Sequence, residues 1–342
     1  MTSTTKKRPA VPPAFARNAL IDPARLRELT VRSDWRGALQ TGSHFGAIGL
    51  AGLVLHVAWG TPWAVPAFLV LGVLINFLYA GQHEFSHASV FHSKALNEGF
   101  GRLIGFILIT PRDADKVQHF AHHRFTNLWR QDGELYRPKF TLASYLLRLS
   151  GIEYWYANIS TLLLYAFGVV RDPYVDGPSR GAVIREARLH VLGYALIAAA
   201  SVYAHSAAAV FYWLAPMLLT KPVHQLQNTI EHVGLPHVPD LMRNTRSTRT
   251  NAVMRWLAWQ MPYHSAHHAF PSAPFHRLKA LHQEIFTAHG VTPPTMTYLG
   301  FQAAAISALW KRPEADYPDD KVWIGPGAEG LDPVEAAPAL HA

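Results

Sequence analysis

The chain has 342 residues, 20 histidines, no cysteine and a formal charge of +8. Hydrophobic residues reach 49% and charged residues only 16%, against about a quarter charged in an ordinary soluble domain, so much of the chain must avoid water. Lack of cysteine excludes disulfides, iron–sulfur clusters and thiolate zinc sites, and leaves histidine and carboxylate as the available metal ligands.

The first twenty residues, MTSTTKKRPAVPPAFARNAL, are basic but lack a following apolar core and a small-residue cleavage site, so residues 1–40 read as a cytoplasmic tail and not as a secretory signal. Four stretches are apolar enough to cross a bilayer: Thr41 to Val57, Pro62 to Ala80, Leu189 to Ala204 and Ala207 to Leu219. A hydrocarbon core needs about 20 helical residues, so the last two need flanking residues to reach that length. The connectors Trp59-Gly60-Thr61 and His205-Ser206 carry no lysine or arginine. By the positive-inside rule both turns face outward, which puts the tail, residues 81–188 and the C-terminal third on the cytoplasmic side.

Gly101 to Ile109 and Tyr154 to Val170 are apolar but too short or interrupted to span, and are expected at the interface, with Tyr154, Trp155 and Tyr156 in the headgroup belt. Residues 299–342, with PEADYPDDK and GPGAEGLDPVEAAPALHA, read as a solvated polar tail. The expectation is an all-α integral membrane protein: one domain over 41–298, with two hairpins of transmembrane helices and a cytoplasmic helical cap. No nucleic-acid partner is expected, since the basic residues suit an anionic leaflet.

Histidines cluster at the ends of these spans. His83 and His87 are four apart, on one helical face, so both imidazoles can chelate one ion. His119, His122 and His123 follow at i, i+3, i+4, and His264, His267 and His268 repeat that spacing. The adjacent pair in each triplet splays enough to reach two different ions. Between the triplets, Asn228 and His232 are again four apart, with His224 one turn earlier.

Nine histidines suit two five-coordinate ions with room for oxygen, with Asn228 holding a water at a tenth position. Imidazole alone does not choose among zinc, copper, iron and nickel. Two adjacent nitrogen-rich centres with open positions favour oxygen activation by iron, whereas a structural zinc closes its shell with four ligands.

Glu84, Glu231, Asp132 and Glu134 are candidates to accept the distal N–H of a ligand ring. His92, His276 and His282 flank the boxes without the spacing, and His44, His56, His190 and His205 read as interfacial side chains. Arg112, Lys116, Arg124, Arg246 and Arg249 suit an anionic head or the leaflet surface.

From Gly81 to His282 the pattern resembles the membrane fatty acid desaturases and their hydroxylase relatives. His83/His87, His119/His122/His123, Asn228/His232 and His264/His267/His268 fall on that family's boxes in order, and MPYHSAHHAFPSAPFHRL is especially similar to it. The stretch Asn228 to Leu235 also looks like membrane alkane hydroxylases, and bacterial relatives include decarboxylases that form terminal alkenes. The resemblance implies two iron ions, O₂ as co-substrate, and a lipid or fatty acyl substrate. Abstraction from an unactivated C–H bond then leads to desaturation, the leading expectation, to hydroxylation or to decarboxylation.

With no haem motif and no cysteine cluster, electrons must come from a separate ferredoxin, rubredoxin or cytochrome with its reductase. Two readings from other classes compete. A membrane metal transporter would place its ligands near mid-span, whereas these boxes sit at span ends. A zinc-dependent lipid hydrolase would use a few ligands around one ion and leave several histidines idle.

Overall fold

The computed structural model describes residues 20–128, 131–135, 140–311 and 324. Residues 1–19 of the expected cytoplasmic tail, and residues 312–342 of the expected solvated tail apart from Ile324, lie outside the described residues.

Fourteen helices are present among the described residues. In chain order, α1 (Pro23–Leu29) leads into α2 (Asp34–Ala58) and α3 (Ala64–Ser86), followed by α4 (Lys94–Leu108), α5 (Arg112–Phe125), α6 (Leu142–Leu149) and α7 (Ile152–Ala166). Then come α8 (Gly177–Tyr203), α9 (Ala215–Asn228), α10 (Leu241–Asn244), α11 (Ala252–Leu257), α12 (His264–Ala269), α13 (Leu278–Ile285) and α14 (Tyr298–Lys311). A two-residue parallel pair, Ser247–Thr248 with Thr295–Met296, ties the segment before α11 to the segment before α14.

Side-chain caps set many of the starts. Ser33, Ser93, Asp176 and Asn251 each accept a backbone N–H from the first turn of α2, α4, α8 and α11, which satisfies donors that a helix leaves unpaired. The run into α9 begins as a π-helix, Val210–Leu214. Pro216 follows within its first turn and Pro222 lies inside α9; proline cannot donate to the ladder, so this helix is irregular where it crosses α3.

That crossing is the tightest in the molecule. A Cβ built on Gly72 would stand 2.2 Å from the Pro216 carbonyl oxygen and 2.6 Å from Thr220 Oγ1, so only glycine lets the two backbones touch. One turn on, Asn76 Nδ2 donates to the carbonyls of Gly72 (3.1 Å) and Met217 (2.8 Å). Gly72→Val should lower the thermal midpoint in detergent by an amount corresponding to about 3 kcal/mol, the upper part of the usual overpacking range. Gly49→Val, where an added Cβ meets no atom within 4 Å, is the control, and equal midpoints for the two variants would contradict this account of the crossing.

Two helices, α2 and α3, are long and apolar enough to cross a membrane. α2 contains the first expected span and starts seven residues before it, at Asp34, and α3 covers the second except for Pro62 and Trp63. The later two fall on the second half of α8 and on the π-helix with the start of α9, where Leu189, Leu192, Leu196, Val210 and Leu219 are exposed. Trp59 packs edge-on against Phe211 at 5.1 Å, and His56 Nδ1 lies 3.1 Å from the Tyr212 hydroxyl. The first charge-free connector therefore packs against the π-helix that follows the second, and α3 and α9 both run from that end toward the histidines.

Several expectations are corrected. Residues 299–311 form a packed helix with Phe301, Ala305 and Leu309 buried, and Ile324 is buried against Gly234 while its carbonyl accepts from Arg246. Tyr154 turns inward, its hydroxyl 3.1 Å from Thr110 Oγ1 and its ring 3.5 Å beneath the buried Lys221 ammonium; Tyr156 remains exposed. Arg112 and Arg246 are each 1% exposed. Arg112 pairs with Glu98 at 2.7 Å and Arg246 donates to the Val233 carbonyl at 3.1 Å, so both knit the fold and neither reaches a lipid head. His44 is fully buried, its Nε2 2.9 Å from the Leu74 carbonyl while its Nδ1 accepts from Trp259.

Candidate metal centre

The end of α3 carries His83 and His87, the second half of α5 carries His119, His122 and His123, and α12 carries His264, His267 and His268. His232 lies in the turn just past α9. Trp259 fixes the first box: it is fully buried, and its ring fills the space where a Cβ on Gly81 would fall, 2.9 Å away.

All nine histidines converge into two groups. His83, His87, His119, His123 and His267 form one, and His122, His232, His264 and His268 form the other, with the nitrogens of each group within 4.8 Å of one another. Each adjacent pair is divided between the groups, as helical splay dictates: His122 from His123, and His267 from His268. His224 stays outside both, packed edge-on against Phe77 and Tyr79.

The ring nitrogens face each other at unusual separations. Nε2 of His83 lies 2.6 Å from Nε2 of His267, His87 is 2.9 Å from His119, and His123 is 3.1 Å from both His87 and His267. In the second group, His264 Nε2 is 2.9 Å from His232 and 3.0 Å from His268.

The outward nitrogens explain why these are not simple hydrogen bonds. His122 Nδ1 lies 2.8 Å from Asp132, His119 Nδ1 3.1 Å from Glu134, and His232 Nδ1 3.0 Å from the Asn244 carbonyl. On His119 and His232 these acceptors draw the ring proton to Nδ1 and leave a bare lone pair on the inward Nε2. Converging lone pairs repel unless a cation lies among them. Two nitrogens each about 2.1 Å from one ion and at right angles stand about 3 Å apart, so the spacing fits metal coordination.

Burial first, and then the neighbouring imidazoles, hold His119, His123, His264, His267 and His268 well below the ordinary histidine range. Neutral imidazole is the form that ligates. Burial also opposes charge on His122, but Asp132, Glu134 and Glu231 together push it up to about 9.

The two other acidic candidates behave differently. Glu84 is buried and accepts from Ser89 Oγ at 2.6 Å and from the Phe275 amide at 3.1 Å, with its second oxygen 3.8 Å from His267 Nδ1. It ties the end of α3 to the turn that follows α12, without a hydrogen bond to the ring. Glu231 lies 3.8 Å from His264 Nε2, on the inward side, and accepts from Gln227 (2.9 Å) and Asn228 (3.3 Å). Burial raises its carboxyl to about 8.

Asn228 is next to the four-histidine group and lines the gap between the two groups together with Tyr79, Glu134 and Glu231. A larger cavity of about 300 Å³ reaches the same Tyr79, Glu134 and Asn228 from between α5, α7 and α9.

Sequence reasoning missed Thr126, whose hydroxyl is 3.1 Å from His268 Nδ1, the Asn244 carbonyl, and Asn127, whose amide donates to Asp132 at 2.6 Å. None belongs to a spacing pattern with the ring it serves.

Residues 33–297 match the family model described as fatty acid desaturase. No curated protein matches the chain. The family is membrane-bound, which agrees with the two apolar helices, and its activity is of the oxidoreductase type. The match covers most of the chain, including every histidine of both groups, and the chain belongs to the fatty acid desaturase family.

Proposed function

We propose that this chain is an O₂-dependent di-iron oxidoreductase that desaturates a fatty acyl or lipid-like substrate. One observation carries the reading: five and four histidine ring nitrogens, each set within 4.8 Å of one another, gathered in two adjoining and mostly buried groups. His83, His87, His119, His123 and His267 would hold one iron, and His122, His232, His264 and His268 the other, with Asn228 holding a water beside the second. Bound there, the irons would supply the oxidant that removes hydrogen from an unactivated C–H bond.

The protein's own residues supply position and exclusion. Asp132 and Glu134 orient rings of the second box, Glu84 braces the third box and Glu231 closes the gap between the groups. The cavity reaching Tyr79, Glu134 and Asn228 would present the reacting carbon, because only a substrate held in place gains the advantage of proximity. A single domain over 41–298, with four spans and the histidines at their cytoplasmic ends, agrees with the contact of the first connector with the π-helix at the opposite end. Electrons would come from a separate ferredoxin, rubredoxin or cytochrome.

Expression with a suitable electron donor, followed by mass spectrometry of whole lipids and volatiles, tests the reaction. The expected result is a product lighter by two hydrogens. A gain of oxygen would assign hydroxylation instead, and a released terminal alkene decarboxylation.

A further inference from the structure

The five-histidine group approaches the surface at one place. His83, His119 and His267 are buried, whereas His87 and His123 are half-buried. Beside His87 lies Phe120, its ring 5.5 Å from that of His87 and 6.5 Å from that of His119. It is 43% exposed, so an aromatic ring stands at the surface beside a half-buried candidate ligand.

Phe120 is the middle of a stripe. Lys116, Phe120 and Arg124 lie at i, i+4 and i+8 on α5, one above another along about 12 Å of helix. The Lys116 ammonium sits 5.6 Å from the Phe120 ring centroid. Its nearest carboxylate, Glu98, is 3.9 Å away and pairs more closely with Arg112, at 2.7 Å. Lys94 and Asp113 complete its charged surroundings.

A lone exposed phenylalanine needs no explanation. This one differs in standing between two cations and beside a candidate ligand ring. Lipid is a poor match for the surface, because α5 presents the charged Lys116 and Arg124 on either side of the ring, unlike the apolar outer faces of α2, α3 and α8. An aromatic centre with a charged rim is how protein partners are bound, and the positive flanks on a chain of charge +8 select an acidic one.

We propose that Lys116, Phe120 and Arg124 form the docking surface for an acidic one-electron carrier protein, seated over His87. The proposal rests on the di-iron reading above. Removing two hydrogens from the substrate while reducing O₂ to two waters consumes two further electrons and two protons. The carrier supplies the electrons singly, its reduced centre being oxidised at each encounter.

The test uses full-length, iron-loaded protein in detergent with an acidic plant-type [2Fe–2S] ferredoxin as probe. Phe120→Ala and the double variant Lys116→Glu/Arg124→Glu should each weaken ferredoxin binding at low salt at least tenfold by surface plasmon resonance. The rate at which reduced ferredoxin reduces the protein should fall as much, Phe120→Trp should restore it, and dithionite should reduce every variant like the parent. Unchanged binding and rate would overturn the proposal, as would failure of the parent to bind ferredoxin. So would loss of binding to phosphatidylserine vesicles with ferredoxin binding intact, which would assign the stripe to lipid. A parent with no dithionite-reducible iron would remove the di-iron reading, while ferredoxin binding would still decide the surface.

Discussion

Replacing His267 with alanine should remove iron from the five-histidine group and abolish turnover, and His123→Ala should do the same. His267 is the junction of that group, 2.6 Å from His83 on α3 and 3.1 Å from His123 on α5. Its loss separates the first box from the second. Its Nδ1 has no hydrogen-bond partner, so the truncation orphans no outer acceptor and the helices should survive. Iron content by plasma mass spectrometry, with circular dichroism to verify folding, reads the outcome. Retention of two irons and full activity would strike His267 from the ligand set.

Asp132→Asn should weaken metal retention in the four-histidine group by about 10–100-fold, the usual effect of losing an acceptor behind a ligand ring. The carboxylate faces His122 Nδ1 with both oxygens, at 2.8 and 2.9 Å, and accepts the amides of Asn127 and Glu134 at 2.6 and 2.8 Å. An amide in its place keeps the shape but brings one donor where three donors already converge. Glu84→Gln should cost less, because Glu84 stands 3.8 Å from His267 Nδ1 and acts by holding Ser89 and Phe275. Iron titration against a chelator measures both variants; an equal loss at the two positions would contradict the difference drawn between orienting a ring and bracing a helix.

The histidine boxes are legible in the sequence because helical periodicity puts i, i+3 and i+4 on one side, and α5 and α12 are helices where the boxes fall. Even the division of His122 from His123 and of His267 from His268 follows from the roughly 100° between successive residues. The outer acceptors are only half legible. Asp132 and Glu134 stand ten and fifteen residues beyond the rings they meet, in a loop whose path no periodicity dictates, and Thr126 and Asn244 meet theirs across the fold.

The basic residues mislead for a related reason. Charge alone suggests a leaflet or an anionic head for Arg112 and Arg246, but the first meets a carboxylate on α4 and the second a set of free carbonyls. Those partners exist only after the chain has folded. The same holds for residues 299–311 and Ile324, whose burial depends on a cleft made by Phe140, Tyr145 and Ile230.

Metal content measured alongside oxygen consumption tests the central claim most directly. Purified protein should carry two irons per chain and consume O₂ only when a reductant and a lipid substrate are both present, yielding a product that has lost two hydrogens. One zinc with no iron, or turnover that proceeds without oxygen, would contradict it.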